Sequence, residues 1–412
     1  MITVAEASER IIAGFGALSG ESVATGDAAG RFLSGDVGAI LTSPPWNCSS
    51  MDGYAVISRG LVAGAELPVV ESIAAGAFPS RSISPGEAMR VMTGAPVPGG
   101  ADSVIRHEDT DDGRDSVTLR DLRDSGRNIR KEGEDFFAGD VLFCEGEMLG
   151  IPHLGAIASA GIVEVMVHRR PRVAIVSSGD ELVELGDFEP SMAGKRIVSS
   201  NSVTLAAAVR DAGGIAVDTG IARDDLASLR EKLDRVGDAD LIVTSAGISV
   251  GDHDHVRAAV NALGGSIDFW KVRMRPGAPL AFGSINGIPW IGLSGNPVSA
   301  IVTFELFVRP AIRRMVGAEQ AFRETIPVRL GENVTLAASL MHFLRVVMTP
   351  SADGMPVVRM SGSQSSGVLT ALARADALLI LPGDRLEAAA GEVHRALPIS
   401  GSYGAASSLR LT

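Results

Sequence analysis

The sequence predicts a multidomain α/β and β protein: a three-layer α/β domain with a mainly parallel sheet, an inserted β-rich domain, an N-terminal helical frame and a small C-terminal β domain. Three observations predict it. From Arg172 onward, strand-like and helix-like segments alternate. Between about Leu41 and Asp135 the chain reads instead as short alternating strands and turns. A length of 412 residues exceeds what one core organises, at roughly 100–200 residues per domain.

In the alternating half, residues 173–178 (VAIVSS) form a β-branched run and 202–212 a helix closed by Gly213-Gly214. Residues 215–222 (IAVDTGIA) form a second strand, 225–236 a second helix and 241–245 (LIVTS) a third strand. A glycine-bearing loop, a helix over 256–263 and a strand over 289–293 follow. Such βα alternation implies parallel strands with helices on both faces. Ligands of these sheets sit beyond the carboxyl ends of the strands, where Gly179-Asp180-Glu181, Ala246-Gly247-Ile248-Ser249 and Ser294-Gly295-Asn296-Pro297 are found. Helix-like segments at 4–15 and 151–160 flank the β-rich part. They predict a frame domain of residues 1–40 plus 136–168, interrupted by a β-rich domain at 41–135, then an α/β domain at 169–318 and a C-terminal β domain at 319–412.

The hydrophobic fraction of 46%, with 48 glycines and only 4% aromatics, fits an aliphatic, loop-rich globular chain and not a disordered one. A net charge of -12 disfavours non-specific binding to nucleic acid or anionic lipid, so an anionic ligand needs a local basic cluster. No apolar run reaches the roughly 18–20 residues of a membrane span, and the acidic start does not read as a targeting peptide. A cytoplasmic protein is expected. Cys48 and Cys144 are the only cysteines and form no CxxC pair, which indicates neither a disulfide framework nor a zinc site. The phosphate-loop patterns GxGxxG and GxxxxGK[ST] are absent, which speaks against a generic nucleotide enzyme.

Several short words carry chemistry. Pro44-Pro45-Trp46-Asn47 leads into Ser50-Met51-Asp52-Gly53-Tyr54-Ala55-Val56, in which Asp-Gly alone signals a turn. Residues 90–98 (RVMTGAPVP) read as a strand ending in a Gly/Pro turn, and 126–135 contain GRNIRKEGED. Gly179-Asp180-Glu181-Leu182 suits either a helix N-terminus, where acids complement the dipole, or a magnesium site built from carboxylate and phosphate oxygens. The small-residue loop at 244–251 (TSAGISVG) would present backbone N–H groups to a phosphate. Lys271, Arg273 and Arg275 alternate, so a strand over 269–276 would place all three on one face. The tail carries Phe343-Leu344-Arg345-Val346 and, at 362–367, GSQSSG.

Taken together and in this order, these words resemble the molybdopterin molybdenumtransferase family of MoeA and the gephyrin E-domain, across essentially the whole chain. The family's PxxxxSxMDGYAV, RIMTGAPVP and GxNIRxxGED match the first three words, and SxGDEL, TSGGVSVGxxD, FWKxxxKPGKP and LPGNPVS match the later ones. The resemblance implies catalytic roles for Asp52, Thr93, Asp135, Glu181 and Lys271, with magnesium at Glu181, Asp180 and Asp52. It implies molybdopterin and phosphate contacts at Gly247, Ser249, Asp224, Asp254, Gly295, Asn296 and Pro297, and oxyanion contacts at Arg275, Arg345 and Ser366. The implied reaction inserts molybdate into adenylylated molybdopterin with magnesium-dependent release of AMP. The implied assembly is a homodimer in which the Asp52 and Thr93 segments complete the partner's site, supplied with substrate by an adenylyltransferase.

This sequence departs from the family's words at Ser199 for aspartate, Ala246 for glycine, Arg275 and Ala278 for lysines and Ser294 for proline. They gather at the anion end and leave a second reading open, a divergent paralogue that binds molybdopterin or an oxyanion without efficient insertion. Tungstate stands beside molybdate as the alternative oxyanion.

Overall fold

A computed structural model describes residues 1–246 and 259–399. The chain divides into two units, one made of Met1–Glu21 with His168–Thr412 and the other of Ser22–Val167.

The Ser22–Val167 unit is built on a five-stranded sheet in the order Ser103–Arg106, Gly53–Val56, Ala88–Val91, Glu66–Ile73, Ser116–Thr118. Only Glu66–Ile73 and Ala88–Val91 run parallel. The two-residue period sends Tyr54 and Val56 to one apolar layer with Leu67 and Ile105, and Ala55 to the other with Ile73 and Met89. Gly53 sits where the backbones crowd: a Cβ there would lie 2.1 Å from the Ile105 carbonyl oxygen. Cys48–Ser49 pairs with Ile129–Arg130, which brings the GRNIR word beside the segment leading to Asp52. The helix Ile151–Ser159 buries Ile157 against Leu33, Leu149, Val165 and Val167.

In the other unit a six-stranded sheet runs Ile215–Ala222, Arg172–Ser178, Leu241–Ser245, Ile288–Leu293, Ala281–Ile285, Gly265–Trp270. Its first four strands are parallel and the pairings of Ala281–Ile285 are antiparallel. The helices Val4–Ala13, Ser200–Asp211, Pro297–Thr303 and Arg309–Met315 place Ile11, Leu205, Val302 and Ile312 in one core with Val173, Ile175 and Val243. The helix Leu226–Asp234 covers the opposite face with Leu229 and Leu233 against Ala174, Val176 and Ile242. These are the three layers expected from βα alternation. Capping sets the helix starts: Thr3 Oγ1 accepts from the Glu6 N–H at 3.1 Å and an Asp225 carboxylate oxygen from the Ser228 N–H at 2.8 Å.

The C-terminal β domain closes on itself. Met341–Thr349, Val357–Met360, Ile326–Leu330, Val393–Pro398 and Ala377–Leu381 pair in a ring, the last returning to the first. Closure leaves no free strand edge among them. Met274–Arg275 adds to this barrel beside Met341 and His342.

One expectation is corrected here. Lys271, Arg273 and Arg275 do not share a strand face, because Lys271 has φ 69° and ends the strand Gly265–Trp270, after which Met274–Arg275 joins a different sheet. The left-handed residue turns the chain out of register.

The crowding at Gly53 gives a first prediction. Gly53→Ala should destabilise the fold by about 1–3 kcal/mol through backbone displacement, read as a lowered midpoint in urea. An unchanged midpoint would contradict the close strand contact.

Candidate active site

The carboxyl edge of the parallel sheet carries a cavity of about 450 Å³ lined by Ser178, Gly179, Glu181, Asp224, Asp225 and Ala246, among others. Thus the GDEL and RDD words, 44 residues apart, meet at one strand end. The Asp180 N–H points to an Asp224 carboxylate oxygen at 3.4 Å. Gly179, at φ 155°, provides the room for Glu181: a Cβ at 179 would lie 2.7 Å from Glu181 Oε2. Asp225 serves as the helix cap already described. Among the described residues no group of three or more His, Cys, Asp or Glu is arranged to hold a metal. Glu181 and Asp224 therefore do not form a preformed cage. Two carboxylates do suit magnesium, which is commonly held by one or two protein carboxylates together with substrate phosphate. Gly247, Ser249 and Asp254 lie outside the described residues.

A second cavity of about 790 Å³ in the same unit collects the anion-end candidates: Arg275, Asn296, Arg345 and Ser366 line it, together with the departures Ala278 and Ser294. Arg345 is completely buried. Alternation along Met341–Thr349 sends Leu344 and Val346 into the barrel core and leaves Arg345 on the other side. The 362–367 loop is wrapped around it. Gln364 accepts from the Arg345 N–H at 2.9 Å and donates to its carbonyl at 3.0 Å, and the guanidinium donates to the Ser363 and Ser365 carbonyls at 2.8 and 3.1 Å. The Val298 N–H in turn reaches the Ser366 carbonyl at 3.2 Å. Among the described residues no carboxylate pairs with Arg345, and its Nε has no partner. Burial pushes its pKa down from the ordinary arginine value, yet arginine stays protonated in proteins. A buried, uncompensated cation calls for an anion. Lys271 lines neither cavity, and its ammonium rests 3.9 Å from the Trp270 ring centroid.

The turn 294–296 belongs to both regions. Ser294 and Asn296 line the larger cavity, while a Cβ on Gly295 would lie 2.9 Å from the Cβ of Ala246, which lines the smaller one. Asn201 fixes the turn by donating to Ser245 Oγ at 2.6 Å and the Gly295 carbonyl at 2.9 Å. Pro297 starts the helix Pro297–Thr303 with Asn296 as its cap residue. Asn201 and Gln364 were missed by sequence reasoning. The Ser-Asn pair opening a helix after a strand was the available signal for Asn201.

In the Ser22–Val167 unit, an Asp52 carboxylate oxygen accepts from the Thr93 N–H at 2.7 Å and from Thr93 Oγ1 at 2.8 Å. The MDGYA and MTGAP words are therefore joined by their two candidate residues. These bonds, backbone first and side chain second, hold the Asp52 pKa below the usual carboxylate value. Asp135 is exposed near the start of the first word, its N–H bonded to the Ser43 carbonyl at 3.0 Å.

Two predictions follow from this geometry. Thr93→Val removes the hydroxyl donor, so the Asp52 pKa should rise toward the usual value while Thr93→Ser leaves it low, as followed by carbon-13 NMR of the carboxyl. A Thr93→Val value equal to wild type would remove the assigned cause. Gly179→Ala should push the Glu181 carboxylate out of its place, lowering activity far more than thermal stability. Activity and melting point falling in step would argue that Gly179 serves the fold alone.

Three family models match the chain in order: the MoeA N-terminal region (domain I and II) at residues 2–161, a probable molybdopterin binding domain at 174–314 and the MoeA C-terminal region (domain IV) at 327–399. Molybdopterin molybdenumtransferase 2 of Mycobacterium tuberculosis is 40% identical over 376 residues, covering 88% of this chain and 91% of that protein. Molybdopterin molybdenumtransferase of Staphylococcus aureus is 32% identical over 394 residues, covering 93% and 92%. A crystal structure of the molybdopterin biosynthesis MoeA protein of Pyrococcus horikoshii superposes with a TM-score of 0.75 at 26% identity, over 97% of this chain and 100% of that one. The chain therefore belongs to the MoeA family of molybdopterin molybdenumtransferases, transferases of molybdenum cofactor biosynthesis.

Proposed function

We propose that the chain inserts molybdate into adenylylated molybdopterin with magnesium-dependent release of AMP, as a homodimer. The observation that carries this reading is Arg345, a buried guanidinium with no carboxylate partner among the described residues, lining a 790 Å³ cavity with Arg275 and Ser366. Such a site favours a compact dianion, since a guanidinium offers a planar fork of donors. Gly295, Asn296 and Pro297, with Gly247 and Ser249, would hold the pterin phosphate. Glu181, with Asp180 and Asp224, would hold magnesium, whose charge neutralises the phosphoanhydride oxygens. Asp52, Thr93 and Asp135 of a second copy would complete the site, with the Asp52 carboxylate kept ionised by its two bonds from Thr93. The chain's part is positioning and charge compensation, the main levers in phosphoryl chemistry. The enzyme would work in the cytoplasm on substrate from an adenylyltransferase.

A second reading, binding without efficient insertion, is favoured by Ala278, which lines the cavity where the family's word has lysine. One assay separates them. Purified protein given adenylylated molybdopterin, magnesium and molybdate should release AMP, and Arg345→Met should slow release by about 10²–10³-fold, the usual cost of one preorganised charge donor. Verified heterodimers of Asp52→Ala and Glu181→Ala subunits should regain one of two sites. Release no faster than background would leave the binding reading in its place, and tungstate competition would set the oxyanion preference.

A further inference from the structure

We infer that Glu332 reads the pterin ring of the substrate, its carboxylate accepting the two adjacent N–H groups of the 2-amino-4-oxopyrimidine edge at the end of the larger cavity away from Arg275. This inference rests on the molybdopterin reading above and assigns a residue that no family word contains.

The cavity follows a break in the barrel. Ala377–Leu381 covers one edge of the strand Met341–Thr349 over positions 342–346. The other edge is shared by two shorter strands, Met274–Arg275, which reaches His342, and Val357–Met360, whose last residue lies opposite Val346. Between them no strand is paired, and the Gln364 amide bonds both backbone groups of Arg345 instead. Arg275 and Met360 therefore stand four residues apart along one edge, about 13 Å at roughly 3.3 Å per residue. Glu332 is anchored at the Met360 lip, where one of its carboxylate oxygens accepts the Met360 N–H at 2.6 Å. Arg275, Gln364, Met360 and Glu332 all line the cavity of about 790 Å³. That volume suits a whole small-molecule ligand, of which a tetrahedral oxyanion fills one end.

The far end has its own chemistry. Glu332 is half-buried. Its second oxygen accepts from no described residue, and no described cation pairs with the carboxylate. Nor is that oxygen among the buried, unpartnered atoms, so it is open to an occupant of the cavity. A carboxylate repels the oxyanion and the phosphates of the substrate and calls for donors. The pterin supplies two on neighbouring atoms, the exocyclic amine and the ring N–H, which match the two oxygens of a carboxylate. The adenine edge sets its amine beside a ring acceptor and does not match. A carboxylate has about four lone-pair sites, so the Met360 bond leaves room for both donors. Val334, Leu336 and Met360, which also line the cavity, offer apolar surface to the ring.

Equilibrium binding of adenylylated molybdopterin to the full-length protein tests this with Glu332→Gln. Glutamine keeps an acceptor for the Met360 N–H, so the melting point should hold, while the second acceptor becomes a donor. The expected result is a Kd weakened about ten- to a hundredfold, the worth of hydrogen bonds to a charged group. The KM for the pterin substrate should rise likewise, with kcat and the KM for molybdate unchanged. In wild type, 6-hydroxymethylpterin should displace the substrate more strongly than 6-hydroxymethyllumazine, in which an oxo group replaces the amine. An unchanged Kd in folded Glu332→Gln, a molybdate KM rising in step, or equal displacement by the two competitors would overturn the role of Glu332 and leave the molybdopterin reading intact. No binding of adenylylated molybdopterin by wild type would overturn that reading and this inference with it.

Discussion

A single buried amide holds the α/β site in shape. Asn201, in the first turn of Ser200–Asp211, donates both to Ser245 at the end of one parallel strand and to Gly295 just past the end of the next. Parallel strands present their ends on one edge, but the turns leaving that edge are free to diverge unless something short and rigid joins them. The amide does so, and the gap it spans is narrow: a Cβ on Gly295 would lie 2.9 Å from the Cβ of Ala246. Ala246 itself sits at φ 69°, a conformation costing an L-residue about 1–2 kcal/mol. The carboxylate cavity and the guanidinium cavity are shaped by this one joint.

The two cavities differ in how their charge is managed. Glu181 and Asp224 line an open edge and keep their freedom to meet a cation with water and phosphate. Arg345 is withdrawn from water altogether, at a desolvation cost on the order of several kcal/mol for an isolated ion. Carbonyls from Ser363 and Ser365 offset part of that cost without neutralising the charge. Gln364 makes the arrangement rigid by bonding both backbone groups of Arg345. A cation so fixed needs no reorganisation when an anion arrives, the property that makes preorganised donors effective.

Most of the sheet was legible in the sequence because its signals are local. LIVTS and IAVDTGIA coincide with Leu241–Ser245 and Ile215–Ala222, since β-branched runs bounded by turn residues leave few alternatives. The three-layer arrangement followed from alternation alone. What was not legible depends on contacts distant in sequence. Nothing in FWKVRMRPG announces that Lys271 turns left-handed and lies on Trp270, because its neighbours favour continued strand. Nor does MHFLR announce a buried imidazole, whose partner Arg275 is 67 residues earlier and paired only once Met274–Arg275 joins the barrel. Family words located Arg345 and Ser366 but not Gln364's hold on the backbone, which is visible only in three dimensions.

The departures from the family's words divide by what they change. Ser294 replaces a residue that restricts the backbone by its ring with one whose hydroxyl accepts from the Asn296 N–H at 3.3 Å, so the turn is held by a different bond. Arg275 keeps the charge and widens its donor geometry. Ala246 holds φ 69°, where the family's glycine would sit without strain. Ser199 removes a negative charge, whereas Ala278 removes a positive one, and it does so inside the cavity. Arg275, Arg345 and Glu332 leave a formal cavity charge of +1, in a chain whose total is -12. A dianion held there is one charge short of balance.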